Sequence, residues 1–356
     1  MEELGLSTQC PCGSNLPLWR CHGRVTEELL RTGTNTDFPG PAHFKFEHGG
    51  FVYRIVRNSI FRRDKRERLH AFTVQWLYWK FGEKWFERQE RLPEEDRHVV
   101  AKWMPLYWKW NNENYLSPLT GRDRKIVPPG FVNELLSLAS DVYTLLIVDA
   151  LPNAPLNRLR NYDLYQGARY EVAIGAALVR AGFQLKWKKP KRNGKVYEFD
   201  ATHKVSKETI AVEAKSKHRK GAIHQTGETE GFDRVWKDFI VLYSEAVKTR
   251  PNDRPFAVFV DLNLSHDPTS VSPLEDWSKE LLSRLANHDL FRDEESPEHT
   301  KLAITNSAWH YDGEAVANKG RYLLMRPMKS TMPIKVEHTY AAIVFALNSF
   351  GTILDD

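Results

Sequence analysis

Between Asp163 and Leu262 the hydrophobic period switches from helical to alternating and back, and this constrains the fold more than any other feature. Asp163 to Arg180 carries apolar residues at helical spacing, and Ala181-Gly182 supplies a stop. Phe183, Leu185 and Trp187 then alternate with polar residues, the two-residue period of a strand. Lys191-Arg192-Asn193-Gly194 reads as a hairpin turn built on Asn-Gly. Val196 to Thr202 and Ile210 to Lys215 follow as strands, Phe232 to Thr249 as a helix and Phe256 to Leu262 as a buried strand. Helix, three strands, helix, strand predicts an α/β (α+β) unit with a mixed central sheet flanked by helices.

The flanking segments read differently. From about Phe61 to Ala150 the pattern is helical, with a helix start at Leu92-Pro93-Glu94-Glu95-Asp96, a loop from Asn111 to Gly130 and a helix from Phe131 to Ala150. Six of the eleven tryptophans lie between Trp76 and Trp110. Base stacking is one use for such residues, but Phe72, Trp76, Trp79, Trp85 and Phe86 recur at helical spacing, which favours a core. Downstream, Ser272 to Ala286 and His338 to Asn348 read as helices, Leu302 to Thr305 and Tyr322 to Met325 as strands. Upstream, Arg24 to Leu30 reads as a short helix and Thr32 to Gly40 as a linker. The 356 residues divide into a cysteine-bearing module (1–30), a Trp-rich helical domain (31–150) and the α/β domain with its extension (151–356). The longest apolar run, Val142 to Ala150, is too short to span a membrane, and the first residues lack a signal-peptide pattern. A soluble, cytoplasmic protein with no membrane partner is expected.

All three cysteines, Cys10, Cys12 and Cys21, fall in one window with His22 next in line. A reducing compartment disfavours disulfides, whereas three thiolates and an imidazole suit tetrahedral Zn²⁺. The stretch from Cys10-Pro11-Cys12-Gly13-Ser14 to Cys21-His22-Gly23 resembles the SEC-C zinc motif found at the tail of the SecA translocase ATPase. The resemblance implies a Zn²⁺ held by Cys10, Cys12, Cys21 and His22, in a small zinc knuckle able to meet a protein partner. No G-x-x-x-x-G-K-[ST] phosphate loop occurs, so a motor function lacks its nucleotide site.

The net charge is +5, with 51 basic and 46 acidic residues. This permits nucleic-acid binding without proving it. The basic runs Arg54–Arg68 and Lys186–Lys195 are solvated surface on the bland reading; the second lies beside candidate chemistry.

That chemistry sits on two strands. Ala211, Glu213 and Lys215 share one face, Ile210, Val212 and Ala214 the other, while Glu198 and Asp200 share a face of the preceding strand. Antiparallel pairing can place Asp200 next to Glu213, and two such carboxylates call for a cation between them. Hard oxygen donors suit Mg²⁺ or Mn²⁺. On the preceding helix Gly167, Glu171 and Gly175 fall on one face, leaving room around Glu171. The order Glu171, Glu198-Phe199-Asp200, Val212-Glu213-Ala214-Lys215 resembles the PD-(D/E)xK nuclease superfamily over about residues 161–265. The resemblance implies a restriction-endonuclease-like core. Asp200, Glu213 and the Ala214 carbonyl would hold Mg²⁺ or Mn²⁺. Lys215 would orient or help deprotonate the attacking water, and Glu171 would complete the catalytic set. Lys191, Arg192, Lys217, His218, Arg219 and Lys220 would contact phosphates of a nucleic acid, DNA ahead of RNA. His310 and Asp312 form an isolated pair, more often incidental than a second metal site. The expected function is a metal-dependent nuclease; the alternative is a non-catalytic, zinc-anchored adapter on the same fold.

Overall fold

A computed structural model describes residues 2–5, 43–57, 59–116, 126–189, 196–217, 231–264, 276–288, 301–306, 310, 313, 321–325 and 332–354. Glu2–Gly5 (β1), Phe44–His48 (β2), Phe51–Val56 (β3) and Ser59–Asp64 (β4) form an antiparallel sheet in the order β1-β4-β3-β2. Gly49 and Gly50 turn β2 into β3 with φ of +57° and +81°, a backbone that glycine takes without a Cβ penalty. This sheet corrects the expectation of helix from Phe61: Phe61 is a buried residue of β4. The basic run hid it. Arg54 is buried, donates to the Glu67 carbonyl at 3.2 Å and lies over the Phe72 ring, and Arg63 reaches Gln75 at 2.7 Å.

Leu69–Phe81 (α1), Glu83–Glu90 (α2), Val99–Asn111 (α3) and Gly130–Ile147 (α4) follow. Leu92 to Asp96 does not start a helix as expected. Only the 3₁₀ turn Glu94–Asp96 forms, and α3 begins after His98, whose Nδ1 accepts the Val100 N–H at 3.2 Å. The aromatic run is largely core: Phe72, Trp76, Trp85, Phe86 and Trp103 are buried, whereas Trp79 is half exposed. α4 extends well beyond the apolar run Val142 to Ala150 and by length and composition alone could cross a membrane, but 83% of it is buried inside the protein.

Asn153–Leu159 (α5) leads into Tyr165–Arg180 (α6), Phe183–Trp187 (β5), Phe199–His203 (β6) and Thr209–Ser216 (β7). Phe232–Val247 (α7), Phe256–Asp261 (β8), Asp276–Asn287 (α8), Lys301–Asn306 (β9), Arg321–Met325 (β10) and Glu337–Asn348 (α9) follow among the described residues. Among the described residues the second sheet has the order β10-β9-β8-β7-β6-β5, with β5, β6 and β7 antiparallel, β7, β8 and β9 parallel, and β10 antiparallel to β9. The expected mixed central sheet is therefore present. The central strand β8 is apolar on both faces because helices cover both. Tyr170, Ile174 and Ala177 of α6 and Ala342 and Ile343 of α9 pack on Phe199, Val212 and Phe259. Val235 and Phe239 of α7 and Leu281 of α8 pack on Ala211, Val258 and Ile304.

Helix α6 is the pivot. Val172, Ala176 and Val179 face the helices, and Gly175 lets the sheet approach: a Cβ there would meet Leu185 Cδ1 at 3.2 Å. The glycine pair divides here, since nothing lies within 4 Å of a Cβ at Gly167. Arg169 of α6 is buried against α4, donating to Asp141 at 2.7 Å, Ser137 at 2.8 Å and Glu134 at 3.2 Å, while Arg180 donates to Asp141 at 2.8 Å. Arg169 and Arg180 share Asp141, and this buried ionic network ties α4 to α6 and so the helical layer to the sheet.

Candidate active site

The sequence pattern delivers Glu213 and Lys215 to one face near the C-terminal end of β7. The Glu213 side chain has no exposure; Lys215 Nζ pairs with its Oε1, and Thr249 donates to Oε2 at 3.2 Å. Glu171, on the second turn of α6, is also buried, and both of its oxygens are gripped by the Arg158 guanidinium, with Nη1 at 2.7 Å from Oε1.

Glu198, the residue just before β6, adds a third carboxylate. The Glu198 N–H donates to the Val212 carbonyl at 3.0 Å, although Phe199 is the residue standing opposite Val212. Two residues thus face one, the pattern of a β-bulge, a device that re-aims side chains beside functional sites. The Glu198 carboxylate lies 3.9 Å from Lys215 Nζ.

These acids crowd one another. Burial, then the charges of Glu171 and Glu213, push the Glu198 carboxyl from 4.5 up to about 8 against the pull of Lys215 and Arg158. Burial likewise raises Glu213, more than Lys215 and Thr249 lower it. For Lys215 burial favours the neutral amine, but Glu213, Glu198 and Glu171 outweigh it and hold the ammonium above its ordinary range. Arg158 is raised too: its Glu171 and Glu198 neighbours prevail over burial. The balance is three carboxylates against two cations, so the cluster holds protons tightly and attracts further positive charge.

Asp200 belongs to a different neighbourhood. It stands opposite Ala211, one same-face step from Glu213, and accepts from Lys188 Nζ at 2.6 Å, Tyr197 Oη at 2.9 Å and Arg254 Nη1 at 3.1 Å. Ala214 is buried with its side chain in the sheet core. Lys217, expected at a phosphate, pairs with Asp238 at 2.8 Å. His310 is buried, its Nδ1 3.8 Å from Glu134. Lys191, Arg192, His218, Arg219, Lys220, Asp312 and the cysteine module with Cys10, Cys12, Cys21 and His22 lie outside the described residues.

A second acid sits at the C-terminal ends of the parallel strands. Asp261 of β8 accepts from Thr305 at 3.0 Å and Ser216 at 3.1 Å, and Thr305 bonds the Tyr170 hydroxyl. Burial dominates its environment and pushes it from 3.8 to about 6.

Among the described residues no group of three or more side chains forms a ready-made metal cage. The donor chemistry of Glu171, Glu198 and Glu213 nonetheless fits a hard divalent cation. They are all oxygen donors, and their crowding is of the kind such a cation relieves. Sequence reasoning missed Arg158, which carries no motif, and left Glu198 outside the site because the bulge that separates it from Asp200 has no sequence signal. No family model, curated protein or solved structure matches the chain. Function must therefore be argued from the site.

Proposed function

We propose that the chain is a metal-dependent nuclease with a restriction-endonuclease-like core, hydrolysing phosphodiester bonds of DNA or RNA. The observation that carries this reading is the convergence of Glu171, Glu198, Glu213 and Lys215 from a helix and two antiparallel strands into one buried, acid-rich cluster. The order of α6, β5, β6, β7, α7 and β8, with a β-hairpin followed by a parallel crossover, supports it. Glu213 and Glu198 would hold Mg²⁺ or Mn²⁺, with Glu171 completing the set. The sequence pattern adds Asp200 and the Ala214 carbonyl. When bound, such an ion supplies an acidified water and positive charge at the phosphoryl oxygens. Lys215 stays protonated beside three carboxylates, so it orients the water and offsets developing charge rather than removing the water's proton. In the ion-free protein Glu198 holds its proton to about pH 8; a bound cation would favour its ionised form and so its service as a ligand. Thr249 fixes the Glu213 rotamer through Oε2. Zn²⁺ on Cys10, Cys12, Cys21 and His22 would anchor a recruitment module.

One observation favours the adapter reading: Glu171 and Glu213 each already have a cation as partner. The experiment that separates the two readings is incubation of wild type and Lys215→Ala with linear, circular and single-stranded substrates in Mg²⁺, Mn²⁺ or EDTA. Ion-dependent cleavage by wild type alone supports the nuclease. Cleavage by neither protein supports the adapter.

A further inference from the structure

Two side-chain cations stand in the carboxylate cluster, and they are not equivalent. Lys215 lies two residues on from Glu213 along the same strand face, so its side chain starts beside Glu213 wherever the ammonium points. Arg158 comes from a separate element, α5, and spans to Glu171 with both terminal nitrogens. Its side chain is 35% exposed against 6% for Glu171, so it closes the cluster from the solvent side. The backbone beneath it is held: the Trp85 indole donates to the Arg160 carbonyl at 3.2 Å, and the Arg160 guanidinium reaches the Lys80 carbonyl. Motion at this point is therefore a side-chain swing rather than a shift of α5. A guanidinium that grips a carboxylate through two nitrogens carries the same planar fork that grips a phosphate.

We propose that Arg158 is a latch. In the ion-free protein it occupies Glu171; a divalent cation that takes Glu171 releases the guanidinium to a phosphate of the nucleic-acid strand. This rests on the reading of the cluster as an ion site. The latch makes ion binding and phosphate binding mutually dependent. The ion must first displace Arg158, and by linkage the bound strand, holding Arg158, strengthens the ion by the same factor. It also accounts for three carboxylates lying close without forming a ready-made cage.

The test measures Mn²⁺ binding by calorimetry in wild type, Arg158→Gln and Glu213→Gln, and affinity for a short phosphorothioate DNA duplex in Ca²⁺ and in EDTA. Arg158→Gln should bind Mn²⁺ about tenfold tighter or more, since the wild-type ion must break a charge-assisted pair worth at least about 1.4 kcal/mol. Wild type should hold the duplex more tightly in Ca²⁺ than in EDTA, and Arg158→Gln should lose that gain. If Mn²⁺ binds wild type, is lost in Glu213→Gln and is no tighter in Arg158→Gln, the ion site stands and the latch is wrong. If wild type binds no Mn²⁺, or Glu213→Gln binds it undiminished, the ion site itself fails and the latch with it. Should Arg158→Gln not fold, Arg158→Lys decides, since it keeps the charge without the fork. Wild-type Mn²⁺ affinity and an undiminished gain in Ca²⁺ for that variant overturn the latch.

Discussion

Replacing Glu198 by glutamine should flatten the pH dependence of stability in ion-free protein. In the folded chain burial, then Glu171 and Glu213, raise this carboxyl from 4.5 to about 8. The native state then keeps a proton that the unfolded chain has already released. The associated stability is complete below about pH 4.5 and is lost as pH rises through about 8. At about 1.4 kcal/mol per pH unit, that interval sets a ceiling of about 5 kcal/mol. Proton sharing with the neighbouring carboxylates lowers it, and about 2–4 kcal/mol is the working figure. The glutamine keeps the shape and stays neutral, so it should match wild type at about pH 5 and exceed it by that amount at about pH 9. Asp261 and Glu213 are raised as well and share this sign of slope, so the difference between the two proteins, rather than either profile alone, reports Glu198. Urea unfolding in EDTA at several pH values gives the free energies. Parallel pH profiles for the two proteins would refute the crowding of carboxylates on which the site rests.

Other predictions follow from particular contacts. Arg169→Met should destabilise the protein by about 3–5 kcal/mol in urea unfolding, because it leaves Asp141 and Glu134 buried with less countercharge. Gly175→Ala should cost about 1 kcal/mol or more by crowding Leu185, whereas Gly167→Ala, with open space around it, should be neutral or gain up to about 1 kcal/mol from helix propensity. Asp261→Asn should remove the contribution of this group to the fall in stability expected as pH rises from about 4 to about 6, because the buried acid no longer ionises; urea unfolding across that range checks it. Elemental analysis of reductively purified protein should find about one Zn²⁺ per chain, lost in Cys21→Ser; zinc-free wild type would end that assignment.

The sequence made the second sheet legible and the first illegible for one physical reason. From Phe183 to Leu262 the apolar residues keep strand period and are bounded by turn or cap residues, so each strand announces itself. In β3 and β4 the period is masked by arginines whose charges are spent inside the fold, Arg54 on a carbonyl and Arg63 on Glu67 and Gln75. A charge run read as solvated surface is partly interior. The site was half legible in the same way. Glu213, Lys215 and Glu171 follow from strand and helix periodicity. Register and bulging do not, and they separate Glu198 from Asp200. Asp200 went to Lys188, Tyr197 and Arg254, the last of these 54 residues away in sequence. Arg158 reached Glu171 from a helix of seven residues that carries no motif of its own.

The proposed nuclease activity requires a divalent ion at this carboxylate cluster. Purified wild type, Glu198→Gln, Asp200→Asn and Lys215→Ala, each confirmed folded by circular dichroism, should be compared for cleavage of plasmid, linear duplex and single-stranded DNA in Mg²⁺ and in EDTA. Wild type should cleave at least one substrate in Mg²⁺ and none in EDTA. Glu198→Gln and Lys215→Ala should lose at least about a hundredfold in rate, the scale of a lost charge-stabilising group. Asp200→Asn shows whether the ion set extends to the Lys188–Arg254 neighbourhood. Cleavage that survives in both Glu198→Gln and Lys215→Ala, or that persists in EDTA, contradicts the account.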